Sequence, residues 1–318
     1  MIPRLTLLTL ALVVSSAQAQ LAETAGFSGE IALNAVFITS ESNFNTDNSN
    51  TIDSLNKSGD SDSSVVAAPL GNIAYTFGKQ LNQQVYAGTT RSDIAIGTLA
   101  FQLGYQYQLP SGTILDVSYL PTILQRETWR NPYQVGVARR TTDEGGNAYR
   151  FQLKGLVDEN FNLDLAYADK EIDNEEVTDR TLARDADIYY VKGDYRISLD
   201  STSILQPAIT YINQDADGKA ESFDSYGFEL SWFKFINRHR LALTADYTLQ
   251  DYQSNSQTFN KKRSNDIIGL FAAYEYRNVF DWQNWSFISF AAYSQTDSNI
   301  TFYDEKEYLF SLGFSYRF

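Results

Sequence analysis

Hydrophobic and polar residues alternate strictly along most of this chain, from about residue 27 onward. In residues 239–250, leucine and tyrosine side chains fall on one face, while arginine, threonine, aspartate and glutamine fall on the other. The same alternation recurs in residues 97–108 and 161–170. A period of two is typical of β-strands whose two faces meet different surroundings.

The length of the alternating segments separates two kinds of β protein. Several have ten or more residues, enough to cross a bilayer at a tilt, whereas the strands of soluble sandwiches average about five or six. Strands in lipid must pair all of their backbone groups, which requires closure. The pattern therefore predicts an all-β fold, a closed antiparallel transmembrane β-barrel. The strands are predicted near residues 27–39, 65–77, 83–90, 94–108, 112–121, 147–157, 161–171, 185–198, 202–214, 221–235, 239–253, 263–277, 285–296 and 304–318.

This count is about fourteen strands, an even number as single-chain bacterial barrels usually have. Twelve or sixteen are alternatives, because residues 285–296 carry aromatic side chains on both faces and residues 122–146 could contain another hairpin. Short and long links largely alternate along the chain. Since periplasmic turns are short and external loops are long, both termini are predicted on the periplasmic side.

The N-terminus has the pattern of a secretory signal peptide. Arg4 precedes an apolar run from Leu5 to Val14, which is too short to span a bilayer as a helix, and Ala17-Gln18-Ala19 has small residues at the positions that signal peptidase prefers. We predict a signal peptide over residues 1–19 and a mature barrel over residues 20–318. A buried N-terminal helix is the alternative.

Composition excludes several function classes. The chain has no cysteine, so disulfides, thiol catalysis and cysteine-ligated metals are excluded, and no cofactor is predicted. Its 21 tyrosines and 20 phenylalanines suit the aromatic girdles of an outer-membrane barrel in contact with lipid and lipopolysaccharide. A net charge of −14 disfavours binding to nucleic acid.

The last strand carries the most specific motif. Its apolar face is unbroken, and Ser311, Gly313, Tyr316 and Phe318 fit the pattern that the barrel assembly machinery recognises in outer-membrane proteins. An ordinary terminal strand is the alternative, but so apolar an edge would promote aggregation in a soluble protein. We predict that these four residues form an assembly signal.

Two C-terminal segments also resemble a known family. Asn299-Ile300 followed by Tyr303-Asp304, and the segment Lys262–Asp266, are similar to the barrel domain of surface lipoprotein assembly modifiers. The resemblance covers about sixty residues and does not include the tetratricopeptide repeats that precede the barrel in that family. It implies a fourteen-stranded barrel that helps to export or assemble a secreted protein or lipoprotein partner.

Charged residues also occur on the face that alternation turns inward. Such groups would cost several kcal/mol each in hydrocarbon, so we expect them to point into a polar lumen. They would form either a constriction that selects solutes or a network of ion pairs that partly fills a small bore. The predicted lumen-lining residues are Arg150, Lys154, Lys192, Asp194, Arg196, Glu229, Arg240, Asp246, Glu275 and Arg277.

The predicted loops offer two weaker candidate sites. Clusters of acidic residues, including Asp215-Ala216-Asp217-Gly218, could bind calcium, but solvated loops beside anionic lipopolysaccharide explain them better, so no metal is predicted. Residues 122–146 contain four arginines with Trp129 and Tyr133. That loop could bind an anion or a sugar, although contact with lipopolysaccharide phosphates is the favoured interpretation.

Catalysis is not predicted. The chain has one histidine, His239, which falls at the periplasmic start of a strand between Arg238 and Arg240, far from an external active site. Paired aspartates that activate water are the remaining catalytic alternative. The favoured function is a narrow, porin-like channel for small hydrophilic solutes, and the alternative is an export or surface-assembly barrel.

Overall fold

The computed structural model describes residues 21–89, 101–121 and 126–318, without the side chain of Arg126. The predicted signal peptide and the first part of the predicted fourth strand lie outside these ranges. The described residues form one antiparallel sheet. Its strands are β1 Gly26–Glu41, β2 Ser61–Phe77, β3 Gln83–Gly88, β4 Gln102–Gln108, β5 Ile114–Pro121 with Arg126–Trp129, β6 Thr141–Leu156, β7 Phe161–Ile172, β8 Ala186–Tyr195 with Ile197–Asp200, β9 Ser203–Ala216, β10 Phe223–Ile236, β11 His239–Asn255, β12 Lys262–Arg277, β13 Trp285–Ser298 and β14 Glu305–Arg317.

The sheet closes on itself and confirms the predicted barrel of fourteen strands. Each strand pairs with its neighbours in sequence, and β14 pairs with β1 from Glu30↔Arg317 to Glu41↔Lys306. Strands β5 and β8 are each interrupted but count once, because both parts of each pair with the same neighbour. The ambiguous segment 285–296 is strand β13, and the second part of β5 pairs with β6 instead of forming another hairpin.

The outer face of the barrel is an apolar belt. Leu33, Phe228, Leu270 and Phe310 are 64%, 53%, 51% and 49% exposed, and similar side chains occur on strands around the barrel. Exposed apolar surface of this extent is stable in lipid, and a closed barrel leaves no unpaired strand edge there. The protein is therefore an outer-membrane β-barrel.

The two ends of the barrel differ in their connections. At one end the strands are joined by short turns such as Asn237–Arg238, where Asn237 has a φ of 51°, a left-handed conformation that asparagine tolerates well. We call this the short-turn end and the opposite end the long-loop end. Among the described residues, no helix is long and apolar enough to cross a membrane.

The main apolar core lies at the long-loop end, not inside the barrel. Buried residues from the loops pack there into one cluster. We call the loops that contribute to it the loop cap: residues 42–60, 130–140, 173–185, 217–222, 256–261 and 299–304.

Candidate functional site

The lumen contains a cavity of about 930 Å3, which we call the inner cavity. Its lining includes Gly112 and Glu159 in turns at the short-turn end, and Leu120 and Phe290 deeper in the barrel. Because alternate residues of each strand point inward, most strands contribute to its wall. The inner cavity therefore extends from the short-turn end into the middle of the barrel.

One side of the lumen is lined by paired charges. Lys154 Nζ lies 2.6 Å from the Asp116 carboxylate, and Arg150 forms a 2.5 Å ion pair with Asp164 on the next strand. The Asp116 carboxylate also accepts hydrogen bonds from Tyr86 at 2.8 Å and from Gln106 at 2.9 Å. These contacts link adjacent strands β3 to β7, so this arc of the wall is cross-braced.

The pairing continues round the barrel. Lys192 on β8 donates to Glu229 on β10 at 2.8 Å, bridging across β9. Nearer the short-turn end, Arg317 contacts Glu275 and also lies 3.3 Å from Glu30, which connects the last strand with the first. The inward charges were expected to form either a constriction that selects solutes or a network of ion pairs. The network of ion pairs describes much of the lumen.

Seven of the ten residues predicted to line the lumen border the inner cavity. These seven are Arg150, Lys154, Lys192, Asp194, Arg196, Arg240 and Glu275. The other three occupy inward positions: Glu229 holds Lys192, Asp246 fills the space beside Gly269, and Arg277 lies at the short-turn end of β12. Arg196 borders the inner cavity, and among the described residues it forms no ion pair with a carboxylate.

The opposite side of the inner cavity is apolar. Ala32, Leu70, Ile288 and Phe290 line it together with alanines of β11 and β12. Sequence reasoning missed this arc, because an inward apolar residue breaks the alternation of polar and apolar faces. The ambiguity of residues 285–296 was its one signal in the sequence. The inner cavity is thus amphipathic across its width.

The loop cap covers the long-loop end. Phe302 is 0% exposed and Leu182 1%, and both belong to a cluster drawn from four of the cap loops. Phe44 packs against this cluster and stacks on Tyr303, with ring centroids 5.8 Å apart. Sequence reasoning also missed the cap, although isolated aromatic residues within polar loops were the available signal.

Polar groups inside the cap are paired as well. Arg263 forms a 2.6 Å ion pair with Glu221, and its guanidinium lies 3.7 Å and 3.8 Å from the ring centroids of Tyr252 and Tyr303. Tyr303 donates to Tyr133, which donates to Glu221. Burial and the nearby Glu221 carboxylate raise the pKa of both loop tyrosines, Tyr133 and Tyr303, well above the usual value.

The arginine-rich loop belongs to this cap. Arg139 is buried against the Trp129 ring at 4.1 Å and donates to backbone carbonyls, including that of Asn43 at 2.8 Å. Burial lowers the pKa of Arg139 to about 10. Arg140 stays exposed and pairs with Glu176 at 2.8 Å. The loop is therefore fixed by its own arginines, and of the loop arginines whose side chains the structure describes, Arg140 is the most exposed, as expected for contact with lipopolysaccharide.

Several acidic loop residues also hold the cap together. Asp179 accepts hydrogen bonds from the backbone and hydroxyl of Thr258, both at 2.8 Å, and so joins two cap loops. Glu175 pairs with Arg184 at 2.7 Å, and Asp215 of the faint calcium motif pairs with Lys219. No group of three potential metal ligands lies together among the described residues.

The remaining candidate residues lie at the barrel wall. His239 begins β11 at the short-turn end, and its Nδ1 lies 2.8 Å from the Tyr274 hydroxyl. Ser311 and Gly313 face inward on β14, while Phe318 pairs its backbone with Gly29 of β1. The assembly role of the C-terminal motif and the absence of catalysis stay predictions.

A comparison with solved structures finds similar chains at low sequence identity. The outer membrane channel DcaP of Acinetobacter baumannii is 10% identical, with 92% of this chain and 97% of that chain covered and a TM-score of 0.47. A FadL homologue of Pseudomonas aeruginosa is 9% identical, with 92% and 90% covered and a TM-score of 0.44. The CymD monoaromatic hydrocarbon channel is 8% identical, with 95% and 90% covered and a TM-score of 0.46.

Sequence comparison gives a family. No curated protein matches the chain in sequence. The model of one family, described as a protein of unknown function (DUF2860), matches residues 26–317, which is nearly the whole barrel. The chain belongs to the DUF2860 family.

Proposed function

We propose that this barrel is a narrow channel for small hydrophilic solutes, closed at its long-loop end by the loop cap. The observation that carries the proposal is the inner cavity of about 930 Å3, bordered within a closed wall by polar and charged side chains on one side and apolar ones on the other. Cavities that bind small molecules have volumes of about 300–1,000 Å3. The space is therefore suited to a small molecule.

The charge lining the inner cavity supports a solute without large net charge. Five acidic and five basic residues border it, so their formal charges cancel. Most of these bases are held by carboxylates, which leaves polar atoms to exchange hydrogen bonds with a passing solute. Arg196 is the exception near the short-turn end and is the residue we expect to tune ion selectivity.

The loop cap explains why conduction should be small at rest. By the rule that external loops are long, the cap faces the cell exterior. Its buried aromatic cluster joins loops from around the rim of the barrel. A solute must therefore pass around the cap or wait for it to open.

Planar-bilayer recording of the purified protein tests the proposal. We expect small conductance steps from the unmodified protein, and a shift of at least twofold in the permeability ratio toward cations in Arg196→Glu. Arg238→Glu is the matched control, because Arg238 lies in a turn and pairs with Asp281 at 2.6 Å, outside the inner cavity. No current from any of the three proteins would contradict the proposal.

Export or surface assembly of a protein partner is a second candidate. Its support is the C-terminal resemblance to surface lipoprotein assembly modifiers and an inner cavity that reaches the short-turn end, where periplasmic cargo would arrive. A strain without this protein should then lose a lipoprotein or secreted protein from its surface. An unchanged surface proteome, measured by labelling intact cells, would remove this candidate.

A further inference from the structure

A second cavity lies inside the barrel near the long-loop end, under the first loop of the cap. Its volume is about 310 Å3, and we call it the vestibule. Four neighbouring strands place Ser294, Glu307, Ser40 and Asp62 side by side in one row of its wall. In all, four carboxylates and one lysine border the vestibule, so its net charge is negative.

The vestibule and the inner cavity share three strands of the wall, β13, β1 and β2, and β14 between them borders the vestibule. Ile38 and Ser64 border the vestibule and are partners across β1 and β2. Ala292 of β13 lies in the same row of inward side chains as Ile38. Phe290, the next inward residue of β13 toward the short-turn end, borders the inner cavity. Successive inward positions of a strand are about 7 Å apart. Along β13, therefore, only Ala292 separates Ser294 of the vestibule from Phe290 of the inner cavity. Along β1, the two inward residues Asn34 and Val36 lie between the cavities.

The side chains between the two cavities are uncharged, and they include the polar Asn34 and Ser311 beside the apolar residues of this wall. Val36, which is 7% exposed, and Ala292 accompany Phe290, whose ring stacks on Phe271 with centroids 6.1 Å apart. On the other side of the barrel, the lumen is occupied by the cross-strand ion pairs, such as Asp116 with Lys154. Moving apolar rings aside leaves no charge unpaired, whereas opening an ion pair would.

We propose that solutes cross along this wall, from the vestibule past Phe290 and Val36 to the inner cavity, and that small cations enter most readily. This inference rests on the proposed channel function and adds its route and its preferred solute. Carboxylates around a narrow entrance concentrate cations and repel anions. The balanced charges of the inner cavity impose no opposing preference.

Two adjacent alanines of β13 provide a matched test. Ala292 faces inward between the two cavities, whereas Ala291 is exposed on the outer, lipid-facing surface. Because the chain has no cysteine, Ala292→Cys and Ala291→Cys each carry a single thiol. Each variant is treated from the long-loop side with a cationic and an anionic methanethiosulfonate reagent, and labelling is measured by mass spectrometry.

We expect the Ala292→Cys thiol to react at least tenfold faster with the cationic reagent than with the anionic one, and the Ala291→Cys thiol to show no such preference. Labelling at residue 292 should also reduce the single-channel current at least twofold. Equal rates with both reagents, or a current that persists unchanged after complete labelling at residue 292, would overturn the route. Absence of current before labelling would instead overturn the channel function, and the route with it.

A second variant tests the constriction without any reagent. Phe290→Ala should raise the single-channel conductance at least twofold, because the ring separates the two cavities. Phe310→Ala, which removes an outward ring from the neighbouring strand, should leave conductance unchanged. Equal conductance in both variants, with channels present, would contradict the proposed route.

Discussion

The barrel wall and the loop cap are built in opposite ways. The wall is made of strands that pair with their sequence neighbours, faces lipid with apolar side chains and keeps its charges inside. The cap is made of loops that lie far apart in the chain. Its apolar side chains point inward, as in a soluble protein. Phe44 and Phe302 meet in it from opposite ends of the chain, with ring centroids 5.8 Å apart.

This difference suggests that the two regions fail independently. The wall is held by continuous backbone hydrogen bonds in a medium that offers no replacement for them. The cap is held by side chains in water, so its stability depends on a few buried contacts. Changes in the cap should alter access to the lumen, while changes in the wall should alter assembly and heat resistance.

The largest effect is expected from Phe302→Ala. Truncating a fully buried phenylalanine costs about 3–5 kcal/mol, and here that cost falls on the cap alone. Trypsin should then cleave the cap loops at Lys219 and Lys261 on the order of 100-fold faster, because cleavage follows the population of the open form. Phe228→Ala, on the lipid face, should leave cleavage unchanged. Equal cleavage in both variants would show that the loops are not a cooperative cap.

Asp116→Asn is expected to have the next largest effect, on the wall. The change removes the carboxylate that holds Lys154 and Tyr86, at a cost of about 1–3 kcal/mol. The temperature at which the folded band disappears on detergent gels should fall, while trypsin cleavage of the cap stays the same. Asp158→Asn, in a short turn, is the control. Faster trypsin cleavage of the cap, with unchanged heat resistance of the barrel, would contradict the prediction that Asp116 stabilises the wall and not the cap.

The sequence predicts these two regions unequally. Alternation depends on neighbours in the chain, so strands such as β11 and β14 could be placed to within a few residues. Closure of the sheet could also be predicted, because strands in lipid cannot leave an unpaired edge. The cap depends on which distant loops meet, and nothing near Tyr133 or Phe259 in the sequence specifies that they pack together. The apolar arc at Ile288 and Phe290 was missed because it breaks the alternation of polar and apolar residues from which the remaining strands were predicted.

Candidate residues divide along the same line. The alternation of inward and outward residues is enough to place inward charges such as Lys154 and Lys192. Their ion-pair partners depend on the register between strands, which alternation does not give. Arg139 is a clear case: its sequence context suggested an anion site, whereas its fold buries it against Trp129 and backbone carbonyls.

The smallest effect is expected from acid. Burial of the Asp179 carboxylate acts to raise its pKa, but hydrogen bonds from Thr181 and Thr258 outweigh burial and hold that pKa below the usual value. Because the pKa of Asp179 is lower in the folded protein, its carboxylate stabilises the cap at a pH above about 3.9, the pKa of an unfolded aspartate. This contribution is lost as the pH falls from there through the folded-state pKa.

A pH titration of a fluorophore attached to the cap should therefore show loosening below about pH 4. Asp179→Asn should already be slightly loose at neutral pH and should lose part of this acid transition. A transition of unchanged size in the variant would place the acid response elsewhere in the cap.

We propose that the loop cap closes a solute-sized lumen, and single-channel recording of the unmodified protein beside Phe302→Ala distinguishes a closed lumen from an open one. With the barrel wall intact in both proteins, we expect small conductance steps from the unmodified protein and steps at least tenfold larger from Phe302→Ala, in which the cap is loosened. Equal conductance in the two proteins, with Phe302→Ala shown by trypsin to have an open cap, would contradict it.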